Sequence, residues 1–325
     1  MADDPHVPTW RRLLHAEARR LFAPRAPRSV AVVLPALTAL FGLSKLVLHH
    51  TDTATAWRAA EARFARIQAD AVRYGLPTND GVGPRLFYDD PRYLMSSLSF
   101  GDFRRAFTTL AAAVVLLGIV AGGADWSSRV TLTLTLTLTL TLTLAAAEPR
   151  RDRLFGARAL LVTGTCAGAA AVTGALLVPL LLLAALLRGS TTGTDGVFWA
   201  AFAGLYLRGV LLCGLLGLLG YALAMLLRGT ATSLGVVFLY LAAAGQVFGG
   251  RGPRLAEYDM AGLVYAVLNE KPVIPMIESD CIAGLGCEAA HADLTRADGF
   301  AGIALYVAPM LALALWRFTR TDLGR

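Results

Sequence analysis

The sequence predicts an all-α integral membrane protein with six transmembrane helices, an N-terminal amphipathic helix and one β-strand built from a Thr-Leu repeat. The first observation is composition: 56% of the residues are hydrophobic and 16% are charged, whereas soluble domains average about 25% charged residues. The second is a series of apolar runs, each near or above the ~20 residues that cross a bilayer as a helix. The third is an unbroken alternation of Thr and Leu from Thr131 to Leu144, which has the period of a strand.

The charge balance fits a membrane protein. The net charge is +7, and nearly all of the basic residues are arginines, since Lys45 and Lys271 are the only lysines. Nucleic-acid-binding proteins are also basic, but arginines on cytoplasmic loops are typical of membrane proteins. We therefore expect membrane lipids, and no nucleic acid, as partners. The spans contain no recognisable constellation of metal ligands or nucleophiles, so no catalytic residue, metal or cofactor is predicted.

The N-terminal third is predicted to hold an amphipathic helix and two spans. Within residues 1–28, Pro8–Phe22 places its apolar residues on one side of a helix with arginines nearby, which is typical of a helix lying on the inner leaflet. Residues 29–123 contain the first span, Ser29–Leu48, a polar outer segment, and the second span, Ala106–Gly123. Lys45 lies near the outer end of the first span, where a long side chain reaches towards water.

The rest of the chain is predicted to hold a cytoplasmic loop and four more spans. Residues 124–156 form the loop, because arginines cluster at its end and positive charge marks the cytoplasmic side; both termini are then cytoplasmic. Residues 157–325 contain the other spans. We expect a short outer helix at Val197–Tyr206, so that Arg208 lies at the outer end of its span. The four spans are Ala157–Leu187, Leu207–Leu227, Ser233–Phe248 and Phe300–Trp316.

The four cysteines fall into two groups. Cys166 and Cys213 lie in apolar runs and are interpreted as buried packing residues. Cys281 and Cys287 lie in the second outer segment, residues 250–298, which is rich in acidic residues. If this segment is extracellular, the two form a local disulfide; a metal site is the alternative, and no second pair or well-placed histidine supports it.

The repeat predicts one strand with a leucine face and a hydroxyl face. A lone strand leaves a row of unpaired backbone groups, so we expect it to pair with its own copies in other subunits. Three modes of pairing fit the pattern: a ribbon within a dimer, a cross-β stack and a closed barrel. The alternative to pairing is an irregular or helical insertion. The residues of the repeat are Thr131, Leu132, Thr133, Leu134, Thr135, Leu136, Thr137, Leu138, Thr139, Leu140, Thr141, Leu142, Thr143 and Leu144.

Two motifs flank the repeat: Gly-Ala-Asp-Trp-Ser-Ser at 123–128 and Glu-Pro-Arg-Arg at 148–151. With the order of spans, they make the chain resemble the transmembrane permease subunit of ABC-2 type exporters. In that family a Gly-Ala-Glu-Trp-Ser motif, a short Thr/Leu-rich helix and Glu-Pro-Arg-Arg form a cytoplasmic coupling loop. The resemblance covers essentially the whole chain and identifies the N-terminal amphipathic helix with the family's elbow helix.

This resemblance implies transport by a permease in a bacterial inner membrane. The substrate is unknown, and the few polar residues in the spans favour an apolar or amphipathic one. The family's ATPase is a separate subunit, and this chain has no Gly-x-x-x-x-Gly-Lys-Ser/Thr motif of its own, so it is not expected to be an enzyme. Two copies would line the path. The residues expected to contact the ATPase are Glu148, Pro149, Arg150 and Arg151.

The chain departs from the family where seven Thr-Leu units lengthen the loop. The alternative function follows from that departure. If strands from several subunits close into a barrel, the chain forms a homo-oligomeric ring or pore, and the six helices serve as its membrane anchor.

Overall fold

A computed structural model describes residues 10–22, 25–75, 83–131, 151–247, 259–269 and 294–320. These ranges are mostly helical, with one 3₁₀ turn (Pro84–Phe87) and two short strands, β1 (Tyr93–Leu94) and β2 (Gly189–Ser190), which pair in parallel. The helices are α1 (Trp10–Phe22), α2 (Arg25–Leu48), α3 (Thr53–Arg73), α4 (Met95–Thr131), α5 (Arg151–Arg188), α6 (Gly196–Leu227), α7 (Thr230–Val247), α8 (Met260–Leu268) and α9 (Arg296–Arg320).

Several helices are long and apolar enough to cross a membrane. The described residues contain four such segments, Met95–Gly123, Asp152–Arg188, Gly196–Leu227 and Arg296–Arg320. A fifth candidate is the pair α2 and α3, which meet at a bend of 73°, and α7 is apolar but shorter in its described part. The architecture is therefore that of a multi-pass, all-α membrane protein with four to five candidate spans. The count of six stays a prediction.

The sequence-based division of α6 is wrong. The predicted break between Val197–Tyr206 and the following span does not exist, because one helix runs from Gly196 to Leu227. Arg208 consequently lies inside that helix and not at its beginning. The continuity has a physical reason: Phe198 and Phe202 are four residues apart on one helix face, and both rings contact Phe100. These contacts fix the segment that was expected to be separate.

The structure also corrects the beginning of the repeat. Thr131, predicted as the first strand residue, is the last residue of α4. Extending an existing helix adds one hydrogen bond per residue without a new nucleation step, so α4 continues past Gly123 into the alternation. Residues 132–144, which hold the rest of the repeat, lie outside the described residues, and their strand and its pairing stay predictions.

By contacts the chain divides into two compact units. The first consists of Met1–Val33, Arg104–Val172 and Ala203–Arg325, and the second of Leu34–Phe103 and Thr173–Phe202. Both units draw on α2, α4, α5 and α6.

In the first unit, α4 and α6 meet backbone to backbone. A Cβ placed on Gly118 would overlap the carbonyl oxygen of Gly217, and one on Gly220 would overlap the carbonyl oxygen of Val115. On the α5 side, a Cβ on Gly217 would overlap the sulfur of Cys166. Small residues of this kind let membrane helices approach closely. Gly118, Gly217 and Gly220 thus allow the close contact between α4 and α6.

In the second unit, the β1–β2 pair joins the segment before α4 to the segment after α5. Tyr93 pairs with Gly189 and Leu94 with Ser190. Gly189 is required at this place, because a Cβ there would overlap the backbone of Tyr93. Tyr93 itself is fully buried. The pair therefore fixes the Tyr93 side chain against the helices of its own unit.

Candidate functional site

The first candidate site is the contact between α1 and α5, within the first unit. We call it the α1–α5 junction and define it by Leu13, Glu17, Leu154, Ala157 and Arg158. Leu13, Leu154 and Ala157 form a buried cluster. Leu13 and Glu17 are four residues apart on α1, while the other three are spaced i, i+3 and i+4 on α5, so each set lies on one helix face.

An ion pair closes the junction. The Arg158 guanidinium donates from Nε to Glu17 Oε2 at 2.9 Å and from Nη2 to Oε1 at 3.3 Å. The Arg158 side chain is 13% exposed and that of Glu17 is 5% exposed. Two parallel N–H···O bonds between a guanidinium and a carboxylate fix orientation as well as distance. The pair therefore fixes the register of α1 on α5.

The junction extends to α9 through aromatic contacts. Phe318 packs against the buried cluster of the junction. Its ring centroid lies 5.8 Å from that of Phe155, which also contacts Tyr221 at 5.5 Å. Residues from α1, α5, α6 and α9 thus meet around the first turns of α5. A displacement of this part of α5 would be transmitted to three other helices, because packed interiors have low compressibility.

The structure describes only a few of the sequence-predicted site residues. Arg151 is the first residue of α5, and Arg158 follows it by seven residues, or ~10 Å along the helix. Thr131 is the last residue of α4. The expected coupling residues Glu148, Pro149 and Arg150, and the expected disulfide pair Cys281 and Cys287, lie outside the described residues.

A second polar cluster lies in the second unit, and we call it the Asp102 cluster: Lys45, Tyr93 and Asp102. Lys45 Nζ on α2 donates to Asp102 Oδ1 on α4 at 2.7 Å, and the Tyr93 hydroxyl donates to Asp102 Oδ2 at 3.1 Å. The Lys45 and Asp102 side chains are 11% and 6% exposed. Lys45 thus pairs within the protein, whereas the sequence predicted that it reaches towards water.

The tyrosine of this cluster is a permanent hydrogen-bond donor. Burial first, and then the negative charge and hydrogen bond of Asp102, raise the pKa of the Tyr93 phenol. The phenol therefore stays protonated at physiological pH. The ring of His49 packs edge-on against the Tyr93 ring at 5.2 Å, and His49 Nδ1 lies 3.2 Å from the carbonyl oxygen of Pro91. The cluster ties together the end of α2, β1 and the first turns of α4.

Neither ion pair was predicted from the sequence, which singled out only Lys45 among the four residues that form them. Glu17 is the only acidic residue of α1, and its spacing from Leu13 places it on the buried face. Lys45 and Asp102 are each close to an apolar run. The sequence therefore indicates that these charged residues lie next to buried regions, but it does not indicate which residues they pair with.

Within the described part of the chain, no group of three or more metal-ligating side chains is found. The fold defines a class, that of multi-pass helical membrane proteins, and the junction and the Asp102 cluster are two buried ionic sites within it. Comparison with family models, with curated protein sequences and with solved structures gave no match to this chain.

Proposed function

We propose that this chain is the membrane-spanning permease subunit of an ATP-driven exporter, with six spans, cytoplasmic termini and a separate ATPase subunit. The observation that best supports this proposal is the α1–α5 junction. An amphipathic helix at the N-terminus is locked by Glu17 and Arg158 to the helix that begins with the last residue of the Glu-Pro-Arg-Arg motif. That arrangement supports a role in which a push on the motif moves α1 and α5 together.

The proposed mechanism is mechanical. An ATPase subunit docked on Glu148, Pro149, Arg150 and Arg151 pushes on the first turn of α5. Because Arg158 lies two turns along the same helix, the displacement reaches Glu17 and α1 through the ion pair, and α9 through Phe318. Rigid-body movement of packed helices is a common way to open and close a membrane path.

In this proposal the Thr-Leu repeat is an insertion beside the coupling motif, and its pairing with other copies adds contacts between subunits. The second candidate function is the homo-oligomeric ring, and the observation that favours it is the alternation itself. The seven uninterrupted Thr-Leu units comprise 14 residues, which is more than the about 9–11 residues that a membrane strand needs. A ring requires no ATPase, so the two proposals predict complexes with different subunits.

The test uses the two ends of one helix. Arg151 is the first residue of α5 and Arg188 is the last, so charge reversal at each makes a matched pair of variants. The tagged full-length chain is purified from its native membrane in mild detergent, and the ATPase that copurifies with it is identified and measured per copy of the chain. We expect Arg151→Glu to reduce the bound ATPase about tenfold or more, since it reverses a docking charge, and Arg188→Glu to leave it unchanged.

Two results would contradict the proposal. One is the absence of any ATPase from the wild-type preparation. The other is an equal loss in both variants, because a loss that does not depend on position indicates misfolding or a general charge effect rather than docking at the motif.

A further inference from the structure

The helix α3 presents a cationic surface that the proposed transport function does not use. Across its 21 residues it carries four arginines and two acidic residues, a charge density that excludes it from the hydrocarbon core. None of the four arginines forms an ion pair among the described residues. They are Arg58, Arg63, Arg66 and Arg73.

The angle between α2 and α3 determines where α3 lies if α2 alone crosses the membrane. Four residues separate α3 from the end of α2, and the axes of the two helices are bent by 73° relative to each other. Transmembrane helices tilt by about 20° on average from the bilayer normal. If α2 crosses the membrane, a helix bent by this much runs close to the membrane plane. Lipid phosphates lie at that level on either side of the bilayer, so α3 lies near them in either orientation of the chain.

The N-terminal half of α3 borders a hollow that suits part of a lipid. An open hollow of about 470 Å³ is lined by Thr53, Ala54, Trp57, Arg58 and Tyr88. The Trp57 and Tyr88 rings contact each other at 5.3 Å, and the Trp57 indole N–H donates to Glu61. Tryptophan and tyrosine are enriched where hydrocarbon meets headgroups. The hollow thus combines aromatic surface with one guanidinium.

Arg58 retains donors for a ligand. Its Nε donates to the carbonyl oxygen of Ala54 at 3.4 Å and its Nη2 to the hydroxyl of Thr55 at 3.2 Å. A guanidinium has five N–H donors in a fork that matches phosphate oxygens. The carboxylate of Asp52, which lies near this turn, is already bonded to the Thr55 amide and hydroxyl. Those bonds lower the pKa of Asp52, and the charge of Arg58 contributes least to that effect.

We propose that α3 binds the headgroup of an anionic phospholipid, with the lipid phosphate on Arg58 and the glycerol and upper acyl chain against Trp57 and Tyr88. This site is independent of the proposed exporter function, because it requires neither an ATPase nor the coupling motif. It adds a lipid anchor to the segment that joins α2 to α4.

The experiment counts bound lipids by native mass spectrometry. The full-length protein is delipidated in detergent and titrated with phosphatidylglycerol or phosphatidylcholine, and the affinity of the first bound lipid is determined for each. The variants are Arg58→Gln and, as a matched control on the same helix, Arg63→Gln. Arg63 does not line the hollow, and it carries the same charge. Thermal unfolding in detergent checks that both variants are folded.

We expect the wild type to bind phosphatidylglycerol more tightly than phosphatidylcholine. Arg58→Gln should weaken the first phosphatidylglycerol by about tenfold or more, the range of a charged hydrogen-bonded contact, and Arg63→Gln should have no effect. Equal weakening by the two variants would overturn the proposal, since it indicates general charge attraction. Displacement of the lipid by inorganic phosphate would also overturn it, because the aromatic hollow would then contribute nothing.

Discussion

Arg158 on α5 and Glu17 on α1 are 141 residues apart in sequence and meet at 2.9 Å between Nε and Oε2. Both side chains are largely removed from solvent. A buried pair of this kind is destabilising when only one partner is removed, because the remaining charge is left in a poorly solvated place. The pair is therefore the most direct point at which to separate α1 from α5.

Removing either charge of this pair should destabilise the protein. We expect Glu17→Gln and Arg158→Gln each to lower the free energy of unfolding by about 3 kcal/mol, measured by denaturant titration in detergent. The exchanged pair Glu17→Arg with Arg158→Glu should recover part of this loss. Arg153→Gln is the control, because Arg153 is on the same helix and forms no ion pair among the described residues. If the control loses as much stability, the junction is not held by the pair.

The Asp102 cluster makes a prediction about coupling. Lys45→Met leaves the Asp102 carboxylate with one donor fewer, and Asp102→Asn leaves the Lys45 ammonium without its partner carboxylate. We expect each change to destabilise by about 3 kcal/mol, and the double variant by clearly less than the sum. The measurement is a double-mutant cycle of thermal or denaturant unfolding. Additive effects would mean that the two residues act independently.

The close contact between α4 and α6 predicts opposite results at two glycines. Gly118→Ala inserts a methyl group into the backbone of α6 and should destabilise by about 1–3 kcal/mol. Gly164, on α5, has nothing within 4 Å of the position where a Cβ would lie. Gly164→Ala should be neutral or stabilising, because alanine favours the helix. Unfolding in detergent measures both, and equal destabilisation would contradict the tight contact.

Shortening the repeat distinguishes the two proposed functions. Deleting residues 131–142 leaves one Thr-Leu unit and brings the two flanking motifs closer to the spacing of the family that the chain resembles. We expect the variant to keep or increase its bound ATPase, measured by copurification from the native membrane. Size-exclusion chromatography follows the assembly in parallel. Collapse of a large oligomer that carries no ATPase before or after the deletion would support the ring instead.

The positions of the helices were largely predictable, because apolar runs of bilayer length leave few alternatives. The predicted first span ends at Leu48, as α2 does, and the predicted third span, Ala157–Leu187, lies within α5. The continuity of α6 was not predictable. It depends on rings of α4 that contact Phe198 and Phe202, and one sequence does not reveal such partners.

The buried ion pairs illustrate the same limit. Lys45 and Asp102 are 57 residues apart, and each by itself is typical of the charged end of a span. Their pairing depends on the packing of α2 against α4 and on the strand pair that places Tyr93. Thr131 shows a different limit, since the local period-2 pattern predicts a strand there and the residue instead extends the helix α4.

The most direct test of the central claim is the mass and composition of the complex extracted gently from its native membrane. Native mass spectrometry with identification of each subunit gives both. The exporter proposal predicts two copies of this chain with two ATPase subunits. A ring of many copies without any ATPase would contradict it and would assign the assembly to the Thr-Leu repeat.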